Sequence, residues 1–409
     1  MKRITKGLAA AGIMTALFLT GCSSGGDDGQ VTIELFSNKS ENFDTYNGLI
    51  EEFERQHPDI NVELEAPPEA ETVLKTRLVK EDVPDVMSIG GNATYGELAR
   101  AGIFHDFSES DVLDKVQPSY LEMLGLLVGS EDDGIYGVPY ATNANTVIYN
   151  KQKVEELDIE IPQTWDEFIA ALETAEEAGE LPINFTLQEA WTAMPIWNGI
   201  AGNDVSEEFP ELKNQGQATF VEAYDRVADK MLQLLDYGRD DNFGIGYNDG
   251  NNSFANGEGV FYIQGNWAIP DVLSANPDVE LGTFALPSSN QAEENDLVSG
   301  VDVALTVSED TDHKEEALTF INFMAEQEIA QRYIDEQSAF SAFQGVLQED
   351  PIFDGIRRNF EEDRLTGFPD HFYPAGLSAE NLIQGFLIDK DKQTALQTLD
   401  NEWDKVINR

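Results

Sequence analysis

The sequence predicts an α/β fold of more than one domain, and three observations carry that prediction. The chain has 409 residues, room for two or three domains at roughly 100–200 residues each. Hydrophobic residues make up 41% and aromatic residues 10%, enough to form a sizeable core. From residue 31 onward, short β-rich runs alternate with amphipathic helical stretches, the pattern of parallel sheets with helices on both faces.

Taken in order, "VTIELFSN" (31–38) alternates in polarity and predicts a first strand. "FDTYNGLIEEFERQHPDI" predicts a helix with Tyr46, Leu49, Ile50 and Phe53 on one face, stopped by Pro58. "INVELEA" predicts a second strand. A helix, a turn and a buried strand over 85–89 follow, ending at Gly90-Gly91. "ATYGELARAGIFHDF" predicts a helix and an aromatic turn. "GIYGVPYATNANTVIYNK" (134–151) holds two strand-like runs around a small polar centre at 141–145. "TWDEFIAALETAEEAG" predicts a helix whose start is a capping box of Thr164 and Glu167 and whose end is Gly179. "LPINF" predicts a short strand and "QATFVEAYDRVADKMLQLLDYG" one long amphipathic helix. "VFYIQGNW" (260–267) and "DVALTVS" predict strands. "HKEEALTFINFMAEQEIAQRYIDEQ" and the tail from "ENLIQG" predict helices.

The first 21 residues have a different build. Three bases, Lys2, Arg3 and Lys6, precede an apolar stretch from Leu8 to Leu19, the pattern of a secretory signal too short for a stable membrane span. "LTGC" ends at Cys22, the only cysteine, so no intrachain disulfide is possible. The run resembles a bacterial lipobox, which implies cleavage before Cys22 and lipidation of its thiol. Residues 22–30 then read as a flexible tether. No later apolar run reaches transmembrane length.

Charge excludes several functions. Asp and Glu number 77 against 25 Lys and Arg, a net charge of −52. Loss of residues 1–21 removes three bases and no acid, leaving −55. Such a surface repels phosphate backbones, so nucleic acid is excluded as a partner. Self-repulsion on this scale is best tolerated in salt, which points to a salt-adapted host. No G-x-S-x-G elbow, H-E-x-x-H pair or phosphate-binding loop is present, and the four histidines are isolated in sequence. "DDNFGIGYNDG" (240–250) has a loose calcium-loop flavour, but lacks the glycine and glutamate such a loop needs. Neither metal nor cofactor is expected.

Several aromatics stand at strand ends or in loops beside amides and carboxylates: Trp191, Trp267, Tyr140, Phe372 and Tyr373. Sugars present flat C–H faces rimmed by hydroxyls. Rings bury the faces while Asp, Glu, Asn and Lys bond the rim. Each aromatic alone reads first as core; the set reads as a carbohydrate pocket.

These segments together resemble the sugar-binding lipoproteins of bacterial ABC importers, the family of maltose-binding protein. "YGVPYATNANTVIYNK" resembles the first crossover between its lobes, "VSGVDVALTVS" (298–308) the second, "FYIQGNWAIP" its strand-plus-tryptophan motif, and "FTLQEAWTAMP" (185–195) its sugar-contacting segment. "FSNKSENFDTY" is most similar to binders of α-glucosides. The resemblance implies a two-lobed periplasmic-binding-protein fold of type II, with residues 31–141 plus 303–337 in one lobe and 145–298 plus 343–409 in the other. It implies that Trp267 stacks on a sugar ring, that Glu189 and Trp191 flank a neighbouring ring, and that Asn38, Lys39, Glu41, Asn92, Asn143, Asp302 and Tyr373 complete the site. At Asn143 this chain has an amide where the family often has a carboxylate. The expected role is non-enzymatic. A lipid-anchored monomer on the outer face of the cytoplasmic membrane closes on a di- or oligosaccharide and delivers it to permease subunits. A secreted glycoside hydrolase would share the same aromatics and carboxylates, provided two carboxyls face each other across the cleft at roughly 5–10 Å. A binder of peptides or polyamines is a third possibility that the motifs leave open.

Overall fold

The computed structural model describes residues 30–39, 42–67, 70–129, 134–374 and 376–408. The signal stretch, Cys22 and Glu41 lie outside them. Among the described residues nine strands run in chain order: β1 (Val31–Ser37), β2 (Ile60–Glu65), β3 (Val86–Ile89), β4 (Val138–Asn150), β5 (Phe261–Gly265), β6 (Leu281–Phe284), β7 (Leu297–Val307), β8 (Phe340–Ser341) and β9 (Leu365–Thr366). Their order is β2-β1-β3-β7-β4-β5, with β6 and β8 also pairing β4 and β9 pairing β7.

The first three strands are parallel, as expected for strand–helix–strand units. Beyond them the sheet is mixed: β7 runs antiparallel to β3 and to β4, and β4 runs antiparallel to β5 and β6. β4 is one continuous strand of 13 residues. The small polar centre at 141–145 does not interrupt it, because β7 pairs with that stretch and satisfies its backbone. Register shifts beside Ala141 bend the strand there. β4 and β7 are thus the crossovers of a two-lobed fold.

Apolar side chains gather on either side of these crossovers. One core takes the helix Phe43–Gln56 through Tyr46, Leu49, Ile50 and Phe53, together with β1, β3 and the 301–307 half of β7. Ala342, Phe343 and Val346 still belong to it. A second core surrounds Trp197, Tyr224, Phe261 and Trp403. A third, smaller one holds Phe254, Tyr262, Ile269 and Phe340 at the back of β5. Each fully buried Leu, Ile or Phe contributes about 1.5–3 kcal/mol.

Local chemistry sets many helix ends. The capping box is present: Thr164 Oγ1 accepts from Glu167 N–H at 3.4 Å, and Glu167 Oε2 accepts from Thr164 N–H at 3.1 Å. Other stretches break where one helix was expected. The 217–238 segment divides at Tyr224 into Phe220–Ala223 and Asp225–Leu235. The tail divides at Lys390, which has left-handed backbone. "LPINF" forms only an isolated bridge from Ile183 to Phe261, because its pairing stops after one residue. Among the described residues no helix is long and apolar enough to cross a membrane.

Candidate functional site

The parallel strands β1 and β3 end side by side, and their carboxyl ends deliver Asn38, Lys39 and Asn92 to one place. Asn38 N–H donates to Ser88 O at 3.0 Å. With its amide oriented to satisfy both neighbours, Asn38 also donates to Ser88 O (3.1 Å) and accepts from Gly90 N–H (3.3 Å). Its side chain therefore stitches β1 to the turn after β3. Asn92 caps the helix Ala93–Arg100, accepting from Thr94 N–H (2.9 Å) and Tyr95 N–H (3.4 Å). Its Oδ1 is committed to the helix, while its Nδ2 lies against Gly90.

The crossovers supply the next layer. Asp302, on β7, receives Lys39 Nζ on Oδ2 at 2.7 Å and Asn143 Nδ2 on Oδ1 at 3.0 Å. Lys39 and Asp302 are 22% and 20% exposed, so the pair is shielded yet reachable. The amide at Asn143 is thereby explained. The carboxylate of this site stands on the second crossover, and a second carboxylate at 143 would repel it. Asp302 also adds to the field on Tyr46, whose buried hydroxyl is pushed up to about 12 mainly by desolvation.

Trp267 follows the end of β5. Its six-membered ring folds back over Gly265, where even a methyl group would overlap Cζ3, Cη2 and Cε3 of the indole. A glycine is needed there for close approach. Asn266, between them, fastens the turn to the crossover: Oδ1 accepts from Ala144 N–H (2.9 Å) and Nδ2 donates to Ser338 O (3.0 Å). Trp267 is thus anchored one residue from a contact with the neighbour of Asn143. It remains partly exposed, and its Nε1 is buried without a partner among the described residues.

Glu189 and Trp191 come from the turn that leads into the helix Met194–Asp204. Trp191 is 39% exposed, high for so large a ring. Its ring packs against Tyr247, with centroids 4.9 Å apart at 58°. Glu189 Oε2 accepts from Tyr247 N–H at 2.9 Å, at the start of the helix Tyr247–Ala255, where a carboxylate is favoured by the helix dipole. Burial, with Asp271 adding to it, pushes the Tyr247 hydroxyl up to about 12. Tyr247 packs on the same small core as Trp267, so the two aromatic stations share a base.

Tyr247 was missed in the sequence. Its signal, an aromatic directly after Gly244-Ile245-Gly246, sits in the segment with the calcium-loop flavour. Among the described residues no group of acids and histidines is placed to hold a metal. Tyr373 needs correction. It is 4% exposed and lies in the second core. Its hydroxyl accepts from Trp197 Nε1 (2.9 Å) and donates to Tyr224 (2.8 Å), which leaves it no ligand-facing role. A groove of about 810 Å³ lies between the helices Ala93–Arg100 and Pro118–Val128 on one side and Phe209–Asn214 on the other. The groove has polar groups of its own, among them Glu97, Arg100, Glu122 and His371, but the expected site residues other than Tyr373 do not line it.

Comparison with known proteins decides the family. The model of the bacterial extracellular solute-binding protein family matches residues 37–331. The chain belongs to that family. It is 30% identical over 353 residues to the multiple sugar-binding protein of Streptococcus mutans, covering 82% of each chain. It is 23% identical to the melibiose/raffinose/stachyose-binding protein MelE of Bacillus subtilis, covering 88% of this chain and 86% of the relative. Among solved structures, apo RafE of Streptococcus pneumoniae matches with a TM-score of 0.81 and 28% identity over 92% of this chain and 98% of that one. RafE in complex with raffinose matches with a TM-score of 0.78 and 27% identity, over 92% of this chain and all of that one. As a member of an extracellular family, this solute-binding protein works outside the cytoplasm.

Proposed function

We propose that this solute-binding protein captures an α-linked oligosaccharide of the raffinose or glucoside kind, closes its lobes around it and passes it unchanged to a membrane permease. The observation that carries the reading is Trp267, seated on Gly265 and fastened to the first crossover by Asn266. A ring held that way loses little freedom when a sugar face stacks on it, so most of the apolar burial becomes affinity. Lys39, Asn143 and Asp302 would fix hydroxyls at its edge through charge-assisted bonds. Trp191, Tyr247 and Glu189 would hold the next ring. Hinge closure would occur about β4 and β7, the paired strands that join the lobes. The names of the relatives in Streptococcus mutans and Bacillus subtilis support sugar as the solute. Lipid on Cys22 would tether a monomer to the outer face of the membrane.

Titration calorimetry on the chain from residue 22, with Cys22→Ser, tests this against raffinose, maltose and sucrose. One sugar per protein with saturating heats is the expected result. Heat that continues after each injection would mean hydrolysis and overturn the transport role. The acidic surface is read as an adaptation to salt. Thermal unfolding from 0.1 to 2 M NaCl should then move to higher temperature as screening shortens from about 10 Å to below 3 Å. A protein most stable at the lowest salt would end that reading.

A further inference from the structure

We infer that the wall formed by Trp191 and Tyr247 sorts ligands by charge, accepting neutral and amino-substituted sugars and rejecting uronic acids. The inference rests on the sugar-binding reading above and deepens it. Two carboxylates stand at this wall, and both are bonded only to neutral donors. Glu189 Oε2 takes the Tyr247 N–H at 2.9 Å, and Asp271 Oδ2 takes Asn251 Nδ2 at 3.5 Å. Neither forms an ion pair with a described residue. Asn251 is itself fixed, since its Oδ1 accepts from Tyr262 at 2.9 Å. Both carboxylates bear on the buried Tyr262 hydroxyl, which desolvation chiefly, and their charges in addition, hold far above its usual range. Glu189 and Asp271 therefore act on one small region.

The opposite wall does not offset them. Lys39 is already bound to Asp302, so that pair is neutral as a unit. A ligand meets one neutral wall and one bearing two exposed, unneutralised negative charges beside the aromatic rings. Like charges at about 6 Å, with an effective dielectric near 20, lower affinity roughly 100-fold. Both carboxylates are exposed, so the discrimination should be smaller in 2 M than in 0.15 M NaCl. An ammonium on the sugar would instead form a new charge-assisted bond to Glu189. The acid excess of the whole chain says nothing about this. What matters is that these two carboxylates lie at an exposed aromatic face with no cation between them.

The test uses three ligands of one shape and different charge: raffinose, its analogue with a carboxylate at C6 of the galactose ring, and its analogue with an amine there. Calorimetry in 0.15 M and 2 M NaCl gives the affinity of each for the chain from residue 22. The expected order is amine at or above neutral, and neutral above acid by about 100-fold. In Glu189→Gln and Asp271→Asn the neutral-to-acid ratio should fall at least fivefold; the ratio cancels any loss common to all three ligands. Equal affinities for the three ligands, or a ratio unmoved in both variants, overturns the inference while leaving sugar binding intact. Binding of none of the three overturns the raffinose-type reading itself, and this inference falls with it.

Discussion

On the first-lobe side of the site, most polar groups are engaged before a ligand arrives, Asn143 Oδ1 being an exception. Asn38 bridges β1 to the turn after β3, Asn92 caps a helix, and Lys39 and Asn143 each bond Asp302. On the second-lobe side the groups are apolar, partly exposed and underused: the Trp267 and Trp191 rings, the unpartnered Trp267 Nε1, and carboxylates with only neutral partners. The first wall can exchange bonds with a sugar at nearly equal strength, which yields orientation more than affinity. The second gains contact it did not have, which yields affinity more than orientation. A binding protein that must release its cargo needs both, and here they are divided between the lobes.

The contrast breaks first at Trp267. Trp267→Ala should weaken sugar binding by about 100-fold or more, as truncation of a buried aromatic anchor does, with intrinsic fluorescence titration as the readout. Gly265→Ala should lose nearly as much with the indole still in the chain, because the added methyl displaces the ring. If Gly265→Ala binds like the parent, the ring's seat is not what matters. Asp302→Ala comes next. It removes one partner from the Lys39 ammonium and from the Asn143 donor together, so affinity should fall about tenfold and stability by about 1–2 kcal/mol in urea unfolding. Trp191→Ala should cost about five- to tenfold in affinity and leave the melting temperature within a degree or two, since much of this ring is already in solvent. A large drop in melting temperature would place Trp191 with the core. The smallest effect falls on Asn92→Ala. Loss of the cap should cost about 1 kcal/mol of stability, and affinity should move less than in any of the other variants. An affinity loss as large as that of Trp191→Ala would move Asn92 from scaffold to ligand contact.

How far the sequence reveals this arrangement depends on the range of the forces involved. The Thr164–Glu167 box and the amphipathic face of Phe43–Gln56 are local, and both were legible. Trp267 was legible as a residue standing at the end of a strand, but its fit over Gly265 was not, because a ring folding back two residues has no periodicity. The continuity of β4 through its polar centre depends on β7, about 160 residues away, and no local pattern could supply that. Tyr373 misled for the opposite reason. An aromatic among prolines and glycines looks exposed until Trp197 and Tyr224, far away in the chain, close over its hydroxyl. Tyr247 was passed over because its segment was weighed only as a calcium loop and set aside, and its value lies in Trp191 and Glu189, which arrive from elsewhere.

The crossovers also govern how the molecule comes into being. Val86 pairs with Val307, so the sheet begun by the first ninety residues has no neighbour on that side until some two hundred more have been synthesised. Contacts so distant in sequence slow folding, because a long loop must close before they form. For a protein of an extracellular family that delay has a use. A nascent chain that cannot complete its first sheet stays open longer, which suits a protein whose family works outside the cytoplasm.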